Sequence, residues 1–123
     1  MASPFALDRT PGPKTVVLTD SGLGGLIICA GLERRLRGVP GPPLRLVYVN
    51  AWPEAGRGYN DLPDLAARAA VFDRALTAIA ALGPSLVLIV CNTLSVVYEA
   101  TAFRRAPSVP VTGILDEGTA LFA

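Results

Sequence analysis

The sequence predicts an α/β fold: a doubly wound three-layer sandwich built on a four-stranded parallel sheet in the order 2-1-3-4. Three observations carry that expectation. Short strand-like runs recur at Thr15–Thr19, Leu44–Val49, Leu86–Val90 and Val109–Ile114; the first is β-branched-rich and nearly all apolar, as in a strand covered on both faces, and the second alternates less than an exposed strand would. Stretches of helical period separate them. Two of the strands also end abruptly in small polar residues, at Asp20-Ser21 and at Cys91-Asn92-Thr93.

Taken in order, residues 1–13 hold Pro4, Pro11, Gly12 and Pro13 among small residues and read as a flexible tail. After the first strand, Asp20-Ser-Gly-Leu-Gly-Gly25 forms a tight turn. A helix follows over 24–36, with Leu26, Ile27, Ala30 and Leu36 as its expected inner face. Gly38-Val-Pro-Gly-Pro-Pro43 stops it. Asn50–Pro63 is a long loop with Trp52, Arg57, Gly58, Tyr59, Asn60 and Asp61, a length that often marks function. Asp61 or Pro63 starts the next helix, whose Leu65, Ala69, Phe72, Leu76 and Ile79 recur at helical spacing before Gly83-Pro84. The third helix is expected from Thr93 to about Phe103. Gly118–Ala123 looks like the start of another helix and has no stop signal.

Composition excludes several classes of function. The 123 residues are 51% hydrophobic and 17% charged, a globular balance, and suit one domain able to bury roughly two-thirds of its unfolded surface. Eleven Lys and Arg against ten Asp and Glu give a charge of +1, which provides no electrostatic reason for nucleic acid or an anionic membrane. With no histidine, Ser-His-Asp and Cys-His nucleophilic schemes are closed to this chain, and no spacing suits a metal. Two cysteines, Cys29 and Cys91, do not make a disulfide framework. No signal-peptide pattern and no apolar run of about 20 residues is present, so a cytoplasmic setting is expected. The single lysine, Lys14, precedes the first strand at the wrong end of the sheet for a pyridoxal phosphate Schiff base.

In a sheet of order 2-1-3-4, strands one and three are neighbours at the switch point, where ligands sit beyond the strand ends. Asp20-Ser21 and Cys91-Asn92-Thr93 then share one crevice. Gly22-Leu-Gly-Gly25 lacks the third glycine of a dinucleotide fingerprint, which leaves a tight strand-to-helix turn, or backbone N–H groups able to hold a carboxylate. Asp20 serves either as a turn acceptor or as a partner for a substrate ammonium or a nearby thiol. Cys91, just before a helix start, is expected to feel the positive end of the dipole, which lowers a thiol pKa below the free value of ~8.5. A buried structural cysteine, with Asn92 or Thr93 as a plain helix cap, is an equally good reading of the spacing. Cys29 reads as a small core residue in mid-helix. Tyr59, in a glycine-flanked loop, is a weaker candidate for ligand contact or for packing.

With those residues in hand, the chain resembles the aspartate/glutamate racemase superfamily, the cofactor-independent amino-acid racemases. The matching stretches are Thr19-Asp-Ser-Gly-Leu-Gly-Gly25, Ile89-Val-Cys-Asn-Thr93 and Val109-Pro-Val-Thr-Gly-Ile114, in the family's order, and the resemblance spans about residues 14–123. It implies an N-terminal α/β domain facing a second domain, each with one cysteine. It further implies that Cys91 is an acid/base, that Asp20 and Ser21 bind or tune near the amino group, and that Asn92 and Thr93 hold the α-carboxylate. No cofactor is implied, and the partner is a small amino acid. The family's Pro-Tyr-Gly loop corresponds to Gly56-Arg-Gly-Tyr-Asn60, which keeps Tyr59 as a substrate-binding candidate but changes its neighbours. The second domain and its cysteine are not in this sequence. The chain alone is therefore expected not to racemise unless two copies face each other as a homodimer. A single-cysteine decarboxylase or cis-trans isomerase of small carboxylates, and a non-catalytic carboxylate-binding module, are the alternatives.

Overall fold

The structure is a computed structural model that describes residues 14–22, 24–38, 40, 43–52 and 58–113. The expected tail at 1–13, Arg57 and the helix start at 118–123 lie outside those residues.

Among the described residues, seven regular elements alternate: β1 (Lys14–Asp20), α1 (Gly25–Leu36), β2 (Leu44–Asn50), α2 (Leu65–Ala80), β3 (Leu86–Ile89), α3 (Asn92–Tyr98) and β4 (Val111–Gly113). The four strands form one sheet in the order β2-β1-β3-β4, and every pairing is parallel. This is the predicted fold class, and its order puts the ends of β1 and β3 side by side.

The strand period of two sorts the core into two layers. Val17, Val87 and Ile89 face α2 and α3, where they meet Phe72, Leu76, Ile79, Leu94 and Val97. Val16, Leu18, Leu86, Leu88 and Val90 face the other way, toward Cys29 and Leu32 of α1 and toward Leu44, Leu46 and Tyr48 of β2. Continuous apolar strands were the signal for burial on both faces, and β3 is buried at all four positions.

Helix α1 turns differently from its expected inner face. Leu26, Ile27 and Ile28 are 50%, 77% and 39% exposed, and Ala30 is exposed. The side that meets the sheet runs instead through Gly25, Cys29 and Leu32, a helical spacing of four and three. The reason is Gly25: it is the buried residue of the helix, and its close approach to the sheet sets the rotation.

The helix ends follow local chemistry. Asp64, and not Asp61 or Pro63, caps α2, its carboxylate accepting from the Ala67 N–H at 2.8 Å. Asp61 instead accepts from the Gly58 N–H at 2.7 Å and closes a short 3-10 turn, Tyr59–Asp61. Gly38 and Gly83, at φ of 75° and 68°, take the left-handed positions just past the ends of α1 and α2. Helix α3 stops at Tyr98, short of the expected Phe103. Asp73 of α2 accepts from the N–H groups of Ala102 and Phe103 at 2.9 and 2.8 Å, so these bond across to α2 and not back along α3. Asp64→Ala should lower stability by about 1 kcal/mol, the usual cost of an N-cap, seen as a lower urea midpoint at unchanged slope.

Candidate active site at the switch point

The last residues of β1 and β3 bring the chemistry together. Strand pairing continues past both ends, with the Ala51 N–H donating to Asp20 O at 2.7 Å and the Val90 N–H to Thr19 O at 3.0 Å. The Ser21 hydroxyl lies 3.2 Å from the Cys91 sulfur, and either atom can donate. Residues 70 apart in sequence therefore meet in one crevice, as a 2-1-3-4 order requires.

Asp20 shares the α1 face of β1 with Val16 and Leu18, and is 7% exposed. Its carboxylate accepts from its neighbour Ser21 N–H at 2.7 Å and from Gly25 N–H at the start of α1. A carboxylate at this helix end suits the dipole and satisfies a donor that the helix leaves free. The observed contacts are thus those of a turn and helix-start acceptor, with Asp20 Oδ1 and Oδ2 both engaged by backbone.

None of Gly22, Gly24 and Gly25 has a positive φ. Their value in the turn is space. A Cβ on Gly25 would lie 2.5 Å from Val90 Cγ2 and 2.8 Å from Asp20 Oδ2, so α1 begins in direct contact with both strand ends.

Cys91 is half-buried and occupies the cap position of α3 with extended backbone. Its carbonyl accepts from the Ser95 N–H at 3.0 Å and the Ser95 hydroxyl at 2.9 Å. Its own side chain makes no capping bond, which leaves the sulfur for Ser21. Asn92 is exposed and Thr93 half-buried. They are the first two residues of α3 and do not occupy its cap position. Among the described residues, neither side chain has a hydrogen-bond partner.

Tyr59 goes to the core. It is 2% exposed, its hydroxyl donates to Ala51 O at 2.9 Å, and its ring lies 5.0 Å from Trp52 and 6.4 Å from Phe72. This geometry favours packing over the ligand contact suggested by its glycine-flanked loop. Burial first, and then the charge of ionised Cys91, push its pKa well above the ordinary tyrosine value. Below about pH 10 folded and unfolded tyrosine both hold the proton, and above it the unfolded chain ionises first. Stability should therefore fall as pH rises beyond about 10, and Tyr59→Phe should flatten that slope in urea melts. Trp52 Nε1 is buried with no acceptor among the described residues.

Cys29 packs against a different core layer from Cys91. It packs on the α1 side of the sheet, and burial, helped by Glu33, pushes its thiol pKa up, which suits a structural thiol. A groove of about 680 Å³ between α2 and the end of β2 includes Arg74 and Asn50 but none of Asp20, Ser21, Cys91, Asn92 or Thr93. Among the described residues, no cluster of His, Cys, Asp or Glu could hold a metal, and no helix is long and apolar enough to cross a membrane.

One neighbour of the site escaped the sequence reading. Tyr48 of β2 lies on the same face as Asp20 and donates its hydroxyl to Gly22 O. The one available signal was a polar-tipped aromatic near the end of a largely apolar strand.

Fold and site thus define a doubly wound parallel α/β domain with a thiol–hydroxyl pair at its switch point. The chain is similar to the glutamate racemase of Roseiflexus sp. (strain RS-1), at 31% identity over 103 residues. That match takes in 83% of this chain and 35% of the racemase, so the chain spans about a third of that relative's length. No protein-family model and no solved structure matches the chain.

Proposed function

We propose that this chain provides one side of an aspartate/glutamate-type racemase active site, in which Cys91 moves the α-proton without a cofactor. The contact between Ser21 Oγ and Cys91 Sγ at 3.2 Å is the observation that carries this reading. A hydroxyl beside a sulfur can donate to it as a thiolate and accept from it as a thiol, which suits a group that works both as base and as acid. Similarity to a glutamate racemase supports racemisation as the reaction class.

In the proposed step, the Cys91 thiolate takes the proton from the substrate Cα. The C–H bond breaks, an S–H bond forms, and the electron pair passes into the α-carboxylate as enolate-like charge. Asn92 and Thr93, at the start of α3 with side chains free to donate, hold that carboxylate. Asp20 and Ser21 lie near the amino group, with Asp20 held by backbone N–H groups and Ser21 reaching the sulfur. Tyr59 supports this wall from the core. Inversion needs a second acid on the opposite face of Cα, from a second domain or a second copy. The exposed Leu26, Ile27 and Ile28 at the start of α1 give such a partner an apolar surface to cover. Two free cysteines are compatible with a reducing cytoplasm.

A single thiol can exchange the α-proton with solvent on one face. The chain, incubated in D2O with each enantiomer of aspartate and glutamate, should wash deuterium into Cα of one enantiomer, read by proton NMR. No exchange with any of the four would overturn the racemase reading. Cys29 and Cys91 pack against opposite core layers, which keeps single-thiol chemistry as the second reading. Release of carbon dioxide from a small dicarboxylate, without Cα exchange of an amino acid, would favour it.

A further inference from the structure

We propose that Tyr48 is a positioning residue for the Cys91 thiol, acting through Ser21. The turn that carries Ser21 is held on one side by Asp20, which ends β1 and accepts from Ser21 N–H and Gly25 N–H. On the other side it is held by the Tyr48 hydroxyl, which donates to Gly22 O. A Cβ on Gly22 would meet nothing within 4 Å apart from its chain neighbours, so no side chain packs over that side of the turn. Ser21 lies between the two anchored residues, and its hydroxyl meets the sulfur at 3.2 Å.

The strand register explains why β2 supplies this anchor. Tyr48 pairs with Leu18 and Asn50 with Asp20, so Tyr48 lies one step short of the crevice on the α1 face of the sheet. A phenol is long enough to span that step to the turn, whereas a phenylalanine would fill the same space and leave the Gly22 carbonyl without its donor. Burial first, followed by the charges of ionised Asp20, Cys29 and Cys91, raises the Tyr48 pKa, so the hydroxyl remains a donor through the alkaline range in which thiols titrate.

The inference rests on the thiol reading of the site, but its test does not need racemisation. In a Cys29→Ala background of the full chain, the rate of Cys91 alkylation by iodoacetamide is measured for the parent, Tyr48→Phe, Ser21→Ala and the double variant. Tyr48→Phe should change the rate at least about threefold, in the same direction as Ser21→Ala. The double variant should match Ser21→Ala alone, because coupled residues are not additive. A merely structural tyrosine would lower the melting temperature and leave these ratios unmoved. Unchanged rates in either single variant, or effects that multiply in the double, overturn the proposal. If Tyr48→Phe does not fold, NMR of the wild type decides. A slowly exchanging Tyr48 hydroxyl proton with cross-peaks to the Gly22 α-protons is expected, and a freely exchanging one overturns it. Absence of Cα exchange would sink the racemase reading and leave this coupling standing.

Discussion

Cys91→Ala should abolish Cα exchange on aspartate and glutamate while leaving the fold intact. A positioned acid/base contributes about 10²–10⁴-fold, and no other thiol in the chain can take over. Cys29 lies on the α1 side of the sheet, with its thiol pKa pushed up. The fold survives because the backbone of residue 91, and not its side chain, does the structural work. The Cys91 carbonyl accepts from both the Ser95 N–H and the Ser95 hydroxyl, and the sulfur makes no helix-capping bond. Alanine keeps that backbone, and the loss of a half-buried sulfur should cost no more than about 1 kcal/mol. Deuterium incorporation by NMR, alongside a urea melt, separates the two effects. Exchange persisting at the wild-type rate would remove Cys91 from the chemistry.

Gly25→Ala should destabilise the domain by about 2 kcal/mol and disturb the site with it. The added Cβ would fall 2.5 Å from Val90 Cγ2, 2.8 Å from Asp20 Oδ2 and 3.1 Å from Asp20 Cβ. Val90 and Asp20 are 6% and 7% exposed, so neither can swing aside into solvent. Overpacking of this kind costs about 1–3 kcal/mol. Displacing α1 also weakens the bond from the Gly25 N–H to Asp20, worth about 1 kcal/mol. The better helix propensity of alanine returns at most about 1 kcal/mol. A melting temperature lower by roughly 10 °C is expected. Gly22→Ala is the control, because its Cβ meets nothing within 4 Å and its backbone has no positive φ. Equal melting temperatures for the two variants would show that α1 does not rest on the strand ends as closely as the structure places it.

Much of the crevice was legible from strand ends alone. Apolar runs that stop at Asp20-Ser21 and at Cys91-Asn92-Thr93 name the residues that a parallel sheet delivers to one edge, because strand direction and helix crossovers leave little choice. What was illegible depended on rotation and on distant partners. Periodicity gave α1 an apolar side, yet Leu26, Ile27 and Ile28 make almost any rotation look apolar, and only the contact of Gly25 with Val90 decides it. The end of α3 was likewise hidden, since Asp73 lies about 30 residues away from the N–H groups it takes. Tyr59 looked like a loop residue from its glycines and is a core residue because its ring meets Phe72.

By itself, the sequence determined the fold class and the two strand ends that hold polar groups, while the order 2-1-3-4 was an expectation that the strand pairing bears out. Fold class and strand ends follow from local period and composition, which need no knowledge of distant neighbours. Only the tertiary structure decided that Ser21 touches Cys91, that Asp20 faces the start of α1, and that Tyr48 holds Gly22. Each is a contact between residues brought together by sheet register, and register is set by the whole packed sheet and not by any one stretch.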